Sequence, residues 1–526
     1  MAIKIAVEAF KAGKLEVARR LVLDALLVDD SQADALALLG AIFCADKNFA
    51  AALPLFQRAV ELDPANAQFQ YNLAVTYFEL VLWDAALLCY QQVLALSPGH
   101  IPALSNHGDL LRRFDRPLEA LQNYEVVLAL DAKTKGLNLR LAVTHAELHN
   151  DAQAERYFIL ALAQADAGQL PKGIDKSTDY AQASWEYAHF LLLKKRFSEG
   201  WAAYEYRSKC AFPTAVPHFP YPQPQWNGEA LNGRTLLVFR EQGLGDEIMF
   251  GTLMVEVAAL AGRLVIVASP GLTRLWQSTF AALNRQTDRV QVLADWYPEA
   301  PHWLTPARPD WLATAQIDFQ CSMGRLAFLL RPTVGSFSNP QASLLVDESL
   351  LARWRERLAQ PGGQNGPLRV GVMWQANPQR HSFDGNRRSV RKSVPLQLLS
   401  RLNSRPARIQ LVSLANREHA DQLNMPQAPD LADFSECLAD LAETAALMKN
   451  LDLIITVDTS LAHLAGALGL EVWLLLAFTA DWRWGEADYT SYWYKNVRLF
   501  RQPRQGDWAT LIEAVAAQLA HWADSR

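Results

Sequence analysis

Long apolar runs are missing from this sequence. None approaches the roughly 18–20 residues that a membrane-spanning helix needs, so no span is expected in its 526 residues. The opening "MAIKIAVEAFKAGK" has no extended apolar core and carries Glu8 early, which is unlike a secretory signal. Cysteine is scarce. Cys44, Cys89, Cys210, Cys321 and Cys437 are odd in number, scattered and without metal-ligand spacing. They read as reduced, packed thiols of a cytoplasmic protein, not as a disulfide framework or a zinc site. A large excess of one charge is absent too. The net charge is −5, so no broad field draws the chain to nucleic acid or an anionic membrane. Tryptophan is nearly missing from the early chain: only Trp83 of the 16 precedes Trp185. What remains is an ordinary globular composition, half apolar and a fifth charged, over a length that points to about three domains.

The first third is strictly periodic. Phe56, Tyr90, Tyr124 and Phe158 are each 34 positions apart, as are Ala18, Ala52, Ala86, Ala120 and Ala154. Another register holds Ala6, Gly40, Ala74, Gly108 and Ala142; Leu62, Leu96 and Leu130 form a further one, with Pro64 and Pro98 two residues beyond. Small residues let two helices approach, the aromatic fills the gap between repeats, and the proline stops the second helix. This is the tetratricopeptide pattern. About five repeats cover residues 1–166, and a further helical pair, Ala183 to Arg207, is expected to cap the stack. Such a solenoid offers a concave face for a peptide or protein partner, or serves as a spacer or oligomerisation arm. Asn72 and Asn106 share one helix position, where they either bond an extended backbone or stand solvated.

A bridge follows. "AFPTAVPHFPYPQPQW", Ala211 to Trp226, holds five prolines and reads as a semi-rigid connector. Beyond it, short apolar strands alternate with helical patterns. Strands are expected at Thr235–Phe239, Leu264–Ala268 and Val290–Leu293, then, after the linker "QPGGQNGP", at Leu368–Trp374, Arg408–Leu414, Leu451–Val457 and Glu471–Phe478. Alternation of this kind implies two mostly parallel sheets with helices on both faces. The domains are therefore read as 1–207 for the repeats with capping helices and 208–233 for the linker. The two Rossmann-like halves are 234–360 and 368–526, joined by a linker at 361–367, with a terminal helix near Trp508–Ala523.

In such sheets a ligand sits beyond the carboxyl ends of the strands. The stretch "LDLIITVDTSLAHLAGALG" ends a strand there and opens a helix, so Asp458, Thr459 and Ser460 fall in the crevice with the free N–H groups of that helix. Those groups favour an anion such as a phosphate, and His463, one turn in, can donate to the same anion. The plainer reading makes Thr459 or Ser460 a helix cap and His463 a satisfied histidine. The first half carries a Gly-rich turn at the same edge, "EQGLGDE", in which Asp246 and Glu247 open a helix. Neither loop is a dinucleotide or Walker fingerprint.

The segments "WNGEALNGRTLLVFREQGLGDEIMF", "GVMWQANPQRH", "DLAETAALMKNLDLIITVDTSLAHLAGALG" and "DWRWGEADYTSYWYKNVRLFRQPRQGDW" resemble bacterial fusions of tetratricopeptide repeats to a glycosyltransferase. The catalytic part is similar to the lipopolysaccharide heptosyltransferases of glycosyltransferase family 9 and, more distantly, to the tetratricopeptide O-GlcNAc transferases. The resemblance implies a GT-B fold, an N-terminal acceptor domain and a C-terminal nucleotide-sugar domain. It also implies a metal-independent, inverting transfer without a cofactor. Some proteins of this architecture are flagellin glycosyltransferases whose repeats hold the acceptor protein, so a protein acceptor, such as flagellin, is the expected partner; transfer to a glycan or lipopolysaccharide, with the repeats used for assembly, is the alternative, a non-catalytic scaffold a third, and a homo-oligomer is compatible with any of them.

Carried onto these residues, the resemblance makes Asp246 the candidate base, with Glu247 as the alternate, and makes Thr459, Ser460 and His463 the diphosphate-binding element. Asp458 contacts the donor sugar or shapes the loop. Trp374 and Gln375 end a strand at the same edge. Arg387, Arg388, Arg391 and Lys392 supply cations nearby, although relatives have a shorter loop with Arg-Ser before Pro-Leu where this chain has Lys392-Ser393-Val394-Pro395-Leu396. Ser413 and Leu414 end the next strand, within reach of a base or ribose. Trp482 and Trp484 either stack on a base or pack, packing being the commoner fate of tryptophan.

Overall fold

In the computed structural model each 34-residue period becomes a helical pair. The structure describes residues 2–166, 178–210, 221–294, 316–337, 343–359, 366–376, 390–403, 408–416, 423, 429–479 and 481–526. Most of the proline-rich bridge, most of the 360–367 linker, and Arg387 and Arg388 lie outside them. The chain divides into two compact units, Met1–Asp175 and Lys176–Arg526.

In the first unit, helices α1 (Ala2–Lys11), α2 (Leu15–Val28), α3 (Ala33–Ala45), α4 (Phe49–Leu62), α5 (Ala67–Glu79), α6 (Trp83–Leu96), α7 (Ile101–Arg113), α8 (Pro117–Leu130), α9 (Leu137–Glu147) and α10 (Asp151–Asp166) follow one another. Each odd-numbered helix packs most closely on the even-numbered one after it. The sequence registers explain the pairing. Phe56, Tyr90, Tyr124 and Phe158 are buried, and so are the alanines of both small-residue registers. A Cβ added to Gly40 would stand 2.9 Å from the Phe56 ring, and one added to Gly108 would stand 2.5 Å from that of Tyr124. The rings thus press on the facing backbone. Asn72 and Asn106 are half-buried and already engaged: Asn72 accepts from Gln68 at 2.9 Å, and Asn106 donates to Tyr71 and Tyr90 at 3.2 and 3.3 Å.

Gly108→Ala is expected to destabilise this unit. The Tyr124 ring is buried and held by a 2.7 Å hydrogen bond to Asp109, so it cannot simply retreat. Overpacking costs about 1–3 kcal/mol, and the better helix propensity of alanine returns up to about 1 kcal/mol of it. Urea denaturation followed by helical signal should show a net loss; unchanged or raised stability would mean that the ring yields freely.

The second unit opens with α11 (Thr178–Leu193), α12 (Phe197–Tyr204) and a 3-10 turn, Glu205–Lys209. The expected boundary at residue 207 is corrected: this pair, read from sequence as the repeats' cap, belongs to the sheet-bearing unit. Its aromatic face is the reason. Trp201 is fully buried, with ring centroids of Phe250 and Trp482 at 6.1 and 5.5 Å, and Phe197 lies 4.8 Å from Phe337 and 5.3 Å from Tyr492. Helix α12 is therefore packed on both sheet domains. Lys194 and Lys195 add ion pairs to Glu486 and Asp488, each at 2.6 Å.

Two parallel sheets follow. The first has the order β3 (Val290–Ala294), β2 (Arg263–Ala268), β1 (Thr235–Phe239), β4 (Phe319–Ser322). The second runs β6 (Ile409–Ser413), β5 (Leu368–Met373), β7 (Leu453–Val457), β8 (Val472–Leu476), β9 (Val497–Arg501). The flanking helices are α13 (Leu244–Gly251), α14 (Met254–Leu260), α15 (Pro270–Thr287), α16 (Met323–Leu330), α17 (Glu348–Leu358), α18 (Leu441–Met448), α19 (Ser460–Ala467) and α20 (Trp508–Asp524). All seven expected strands are present, within one or two residues at each end. Both additional strands, β4 ("FQCS") and β9 ("VRLFR"), have their apolar run interrupted by polar residues; among the described residues they are edge strands, as are β3 and β6. Helix α20 packs on β9 and on the 3-10 segment Leu396–Asn403, and Trp522 bonds Glu471 at 2.9 Å. The five cysteines are free thiols, and among the described residues no helix is long and apolar enough to cross a membrane.

Candidate active site

Chain order reverses at one place in each sheet: between β1 and β4 in the first, and between β5 and β7 in the second. At such a point the two following loops diverge and leave a crevice. Asp246 comes from the loop and helix after β1, and Trp374 to Ala376 and Asp458 to Ser460 come from the ends of β5 and β7.

The first turns of α13 and α19 meet. A Cβ on Gly245 would lie 3.1 Å from Cδ2 of His463 and 3.6 Å from Cα of Ser460, so glycine is what lets the two helix mouths touch. Asp246 then sits opposite the opening of α19. Its Oδ1 accepts from Nε of Arg483 at 3.0 Å and from Nη2 of the same guanidinium. Glu247, one residue on, turns about 100° away. It is buried and accepts the backbone N–H of Ser269 at 3.0 Å. Burial pushes its pKa up, and the Ser269 bonds only partly offset this. The expectation that Glu247 is an alternate base is therefore not met by its position: it caps α15 from beneath.

Thr459 is the N-cap of α19, its side chain accepting from Leu461 N–H at 3.3 Å. The plainer reading holds for that hydroxyl, and Ser460 is the first helical residue. His463 is buried. Its Nδ1 lies 2.9 Å from the Tyr494 hydroxyl, and its ring stacks on Trp484 at 4.8 Å. Burial lowers its pKa to about 4, with Asp458 acting the other way, so the imidazole is neutral near pH 7. Asp458 accepts from Trp484 Nε1 at 2.8 Å and pairs with Lys392. The Lys392 segment is docked on the end of β5, because Val394 N–H donates to Trp374 O at 2.8 Å and Ala376 N–H to Ser393 Oγ at 3.0 Å.

The structure thus gathers Asp246, Asp458, Thr459, Ser460, His463 and Lys392 where the mouths of α13 and α19 meet, and Gln375, at the end of β5, is half-buried. Trp374 contributes its backbone there while its side chain is buried. Ser413 is not brought in. It ends β6, one strand beyond the reversal, and its Oγ accepts from Ala415 N–H at 3.2 Å to shape the turn. Trp482 and Trp484 are buried packing residues.

Sequence reasoning missed Arg483, Asp481, Tyr494 and Arg207. Arg483 Nη1 donates to Asp481 at 2.6 Å, and its guanidinium lies 4.4 Å over Trp482. Burial opposes the Asp481 charge, but Arg483 and Lys392 hold that carboxyl well below its usual range. A cation with two tryptophan neighbours in "DWRWG" was the available signal. Arg207 reaches from the 3-10 turn to the β1/β4 reversal, where Glu241 accepts from its Nε at 3.0 Å and its Nη2 at 2.7 Å.

Comparison with known proteins finds matches in both parts of the chain. The tetratricopeptide repeat model matches residues 3–67 and 45–101, and the glycosyltransferase family 9 (heptosyltransferase) model matches residues 409–501. The latter span holds Asp458 to His463 and Arg483. Protein FlbA of Caulobacter vibrioides is 26% identical over 518 residues, covering 91% of this chain and 82% of its own. Similar solved structures include pilF of Pseudomonas aeruginosa, at 20% identity and TM-score 0.33, covering 40% of this chain and 89% of that one. Another is YrrB, a TPR protein with an unusual peptide-binding site, at 22% identity and TM-score 0.29, covering 32% and 86%. The chain combines tetratricopeptide repeats with a family 9 glycosyltransferase domain of the GT-B type.

Proposed function

We propose that this glycosyltransferase moves a sugar from a nucleotide-sugar to a hydroxyl of a protein acceptor held by the repeats, with inversion and without a metal. The observation that carries the reading is the meeting of the α13 and α19 mouths across Gly245, which brings a carboxylate to a helix opening of the kind that favours an anion. Asp246 takes the proton of the acceptor hydroxyl as its oxygen attacks the anomeric carbon. The bond from that carbon to the diphosphate breaks on the opposite side, so one displacement inverts the centre. The leaving charge falls to the first N–H groups of α19, to Ser460 and to Lys392. In the tautomer in which the Tyr494 hydroxyl donates to Nδ1, the Nε2–H of His463 joins them. Ser460 and His463 bind the diphosphate, while Asp458 holds Lys392 and the loop in place. The repeats present a surface of the kind that binds extended peptides, and a flagellin-like protein is one acceptor that fits.

A panel of nucleoside diphosphates and nucleotide-sugars tests this by thermal shift. A ligand at a hundredfold excess over its Kd adds about 2.7 kcal/mol. One nucleotide class should stabilise the wild type, and His463→Ala should lose most of that shift. No stabilisation by any nucleotide at millimolar concentration would overturn the reading.

A further inference from the structure

Arg483 faces two demands that conflict. It is partly buried, with 16% of its side chain exposed, keeps its charge at any ordinary pH, and places two N–H groups on one oxygen of Asp246. A carboxylate oxygen that already accepts two guanidinium N–H groups has both lone pairs engaged and cannot also receive the proton of an acceptor hydroxyl. Yet Arg483 also stands in the wall of the anion site. Trp484, the next residue, stacks on His463 and donates to Asp458. Arg483, Asp246 and Asp481 all act electrostatically on His463. The guanidinium rests on the Trp482 face, a flat support over which it can turn while Asp481 keeps hold of Nη1.

We propose that Arg483 is a donor-sensing latch. This rests on the glycosyl-transfer reading of the same crevice. In the free protein Arg483 holds Asp246. A bound diphosphate presents paired oxygens that a guanidinium prefers, because two parallel N–H···O bonds form at once. The guanidinium moves to the diphosphate, and the Asp246 oxygen it occupied is freed for the acceptor hydroxyl only when the donor is in place. Arg483 then contributes to holding the leaving group, and the order of events, donor first and deprotonation second, is built into one side chain.

The latch makes the carboxylate and the diphosphate competitors for one cation, which calorimetric titration with inorganic pyrophosphate reads directly. Asp246→Asn, close in shape to aspartate, should tighten pyrophosphate binding by about tenfold, about 1.4 kcal/mol. Arg483→Gln should weaken it, and in that background Asp246→Asn should change the affinity by less than about twofold. If Arg483→Gln does not fold, Arg483→Lys takes its place and should shrink the Asp246→Asn gain. An equal gain with and without Arg483 would mean only that a negative charge had been removed nearby, and would overturn the latch. So would no gain at all in a wild type that binds pyrophosphate. A wild type that binds neither pyrophosphate nor any nucleoside diphosphate would overturn the transfer reading itself, and the latch with it.

Discussion

Asp246→Asn is expected to slow sugar transfer by about two to four orders of magnitude, the usual worth of a positioned general base. Asparagine keeps the size and the helix-opening position but cannot take a proton. Because the substitution also releases Arg483, donor binding should not weaken, so the loss should fall on kcat and not on the donor KM. That split separates a lost base from a damaged site. Release of nucleoside diphosphate from the donor identified by thermal shift is the measurement. Activity above about a tenth of wild type would remove Asp246 from the chemistry. Glu247 cannot substitute, because its carboxylate is turned onto Ser269 N–H beneath the sheet edge.

Arg207→Met is expected to cost the second unit about 3–5 kcal/mol, because it strands a buried carboxylate. Arg207 is only 4% exposed and Glu241 5%. The guanidinium donates to Glu241 twice, to Ser322 Oγ at 3.0 Å, to Tyr204 O at 3.0 Å and to Glu205 at 3.0 Å. Glu241 also accepts the Gly324 N–H at 2.6 Å. Burial opposes the Arg207 charge, and Glu241 more than restores it, so its pKa is raised. Arg207→Met combined with Glu241→Gln should be milder than Arg207→Met alone, since no charge is left without a partner. Urea denaturation of the second unit decides this. A double variant as unstable as the sum of the singles would show that the pair is not what matters. The effect should reach the active site as well. Glu241 begins the loop into α13, and Gln242, at φ 60° and bonded by the Tyr204 hydroxyl at 2.9 Å, sits in that loop. A non-glycine residue in this region is strained and persists because its surroundings hold it.

The difference between what was legible and what was not follows the range of the interactions. The 34-residue registers specify the repeats because each small residue and each aromatic meets its partner within one period: Gly40 meets Phe56, and Gly108 meets Tyr124. Five of the seven expected strands are interior ones, legible because a parallel strand covered on both faces is a continuous apolar run; the edges β3 and β6 are legible because they still carry apolar runs, "VQVLA" and "IQLVS". The strands β4, "FQCS", and β9, "VRLFR", are interrupted by polar residues and lack that signature. Asp458, Thr459, Ser460 and His463 could be read as one element because a strand end and a helix start are adjacent in sequence. Asp246 could be placed at the corresponding edge of the other sheet for the same reason.

Which side of its helix each acidic residue of α13 faces was beyond that reach. Asp246 and Glu247 are equivalent as sequence, and only the packing of α13 against α19 and α15 sends one to the crevice and the other to Ser269. The sequence by itself determined the repeats, the two parallel sheets and the strand ends that carry the crevice, through local periodicity and local capping. Tertiary structure alone decided three things: that α11 and α12 belong to the sheet-bearing unit, that Arg207 closes the first reversal point, and that Arg483 meets Asp246. Each joins residues far apart in the chain. Their choice depends on buried charges finding partners and buried aromatics finding surfaces, and neither leaves a periodic trace in sequence.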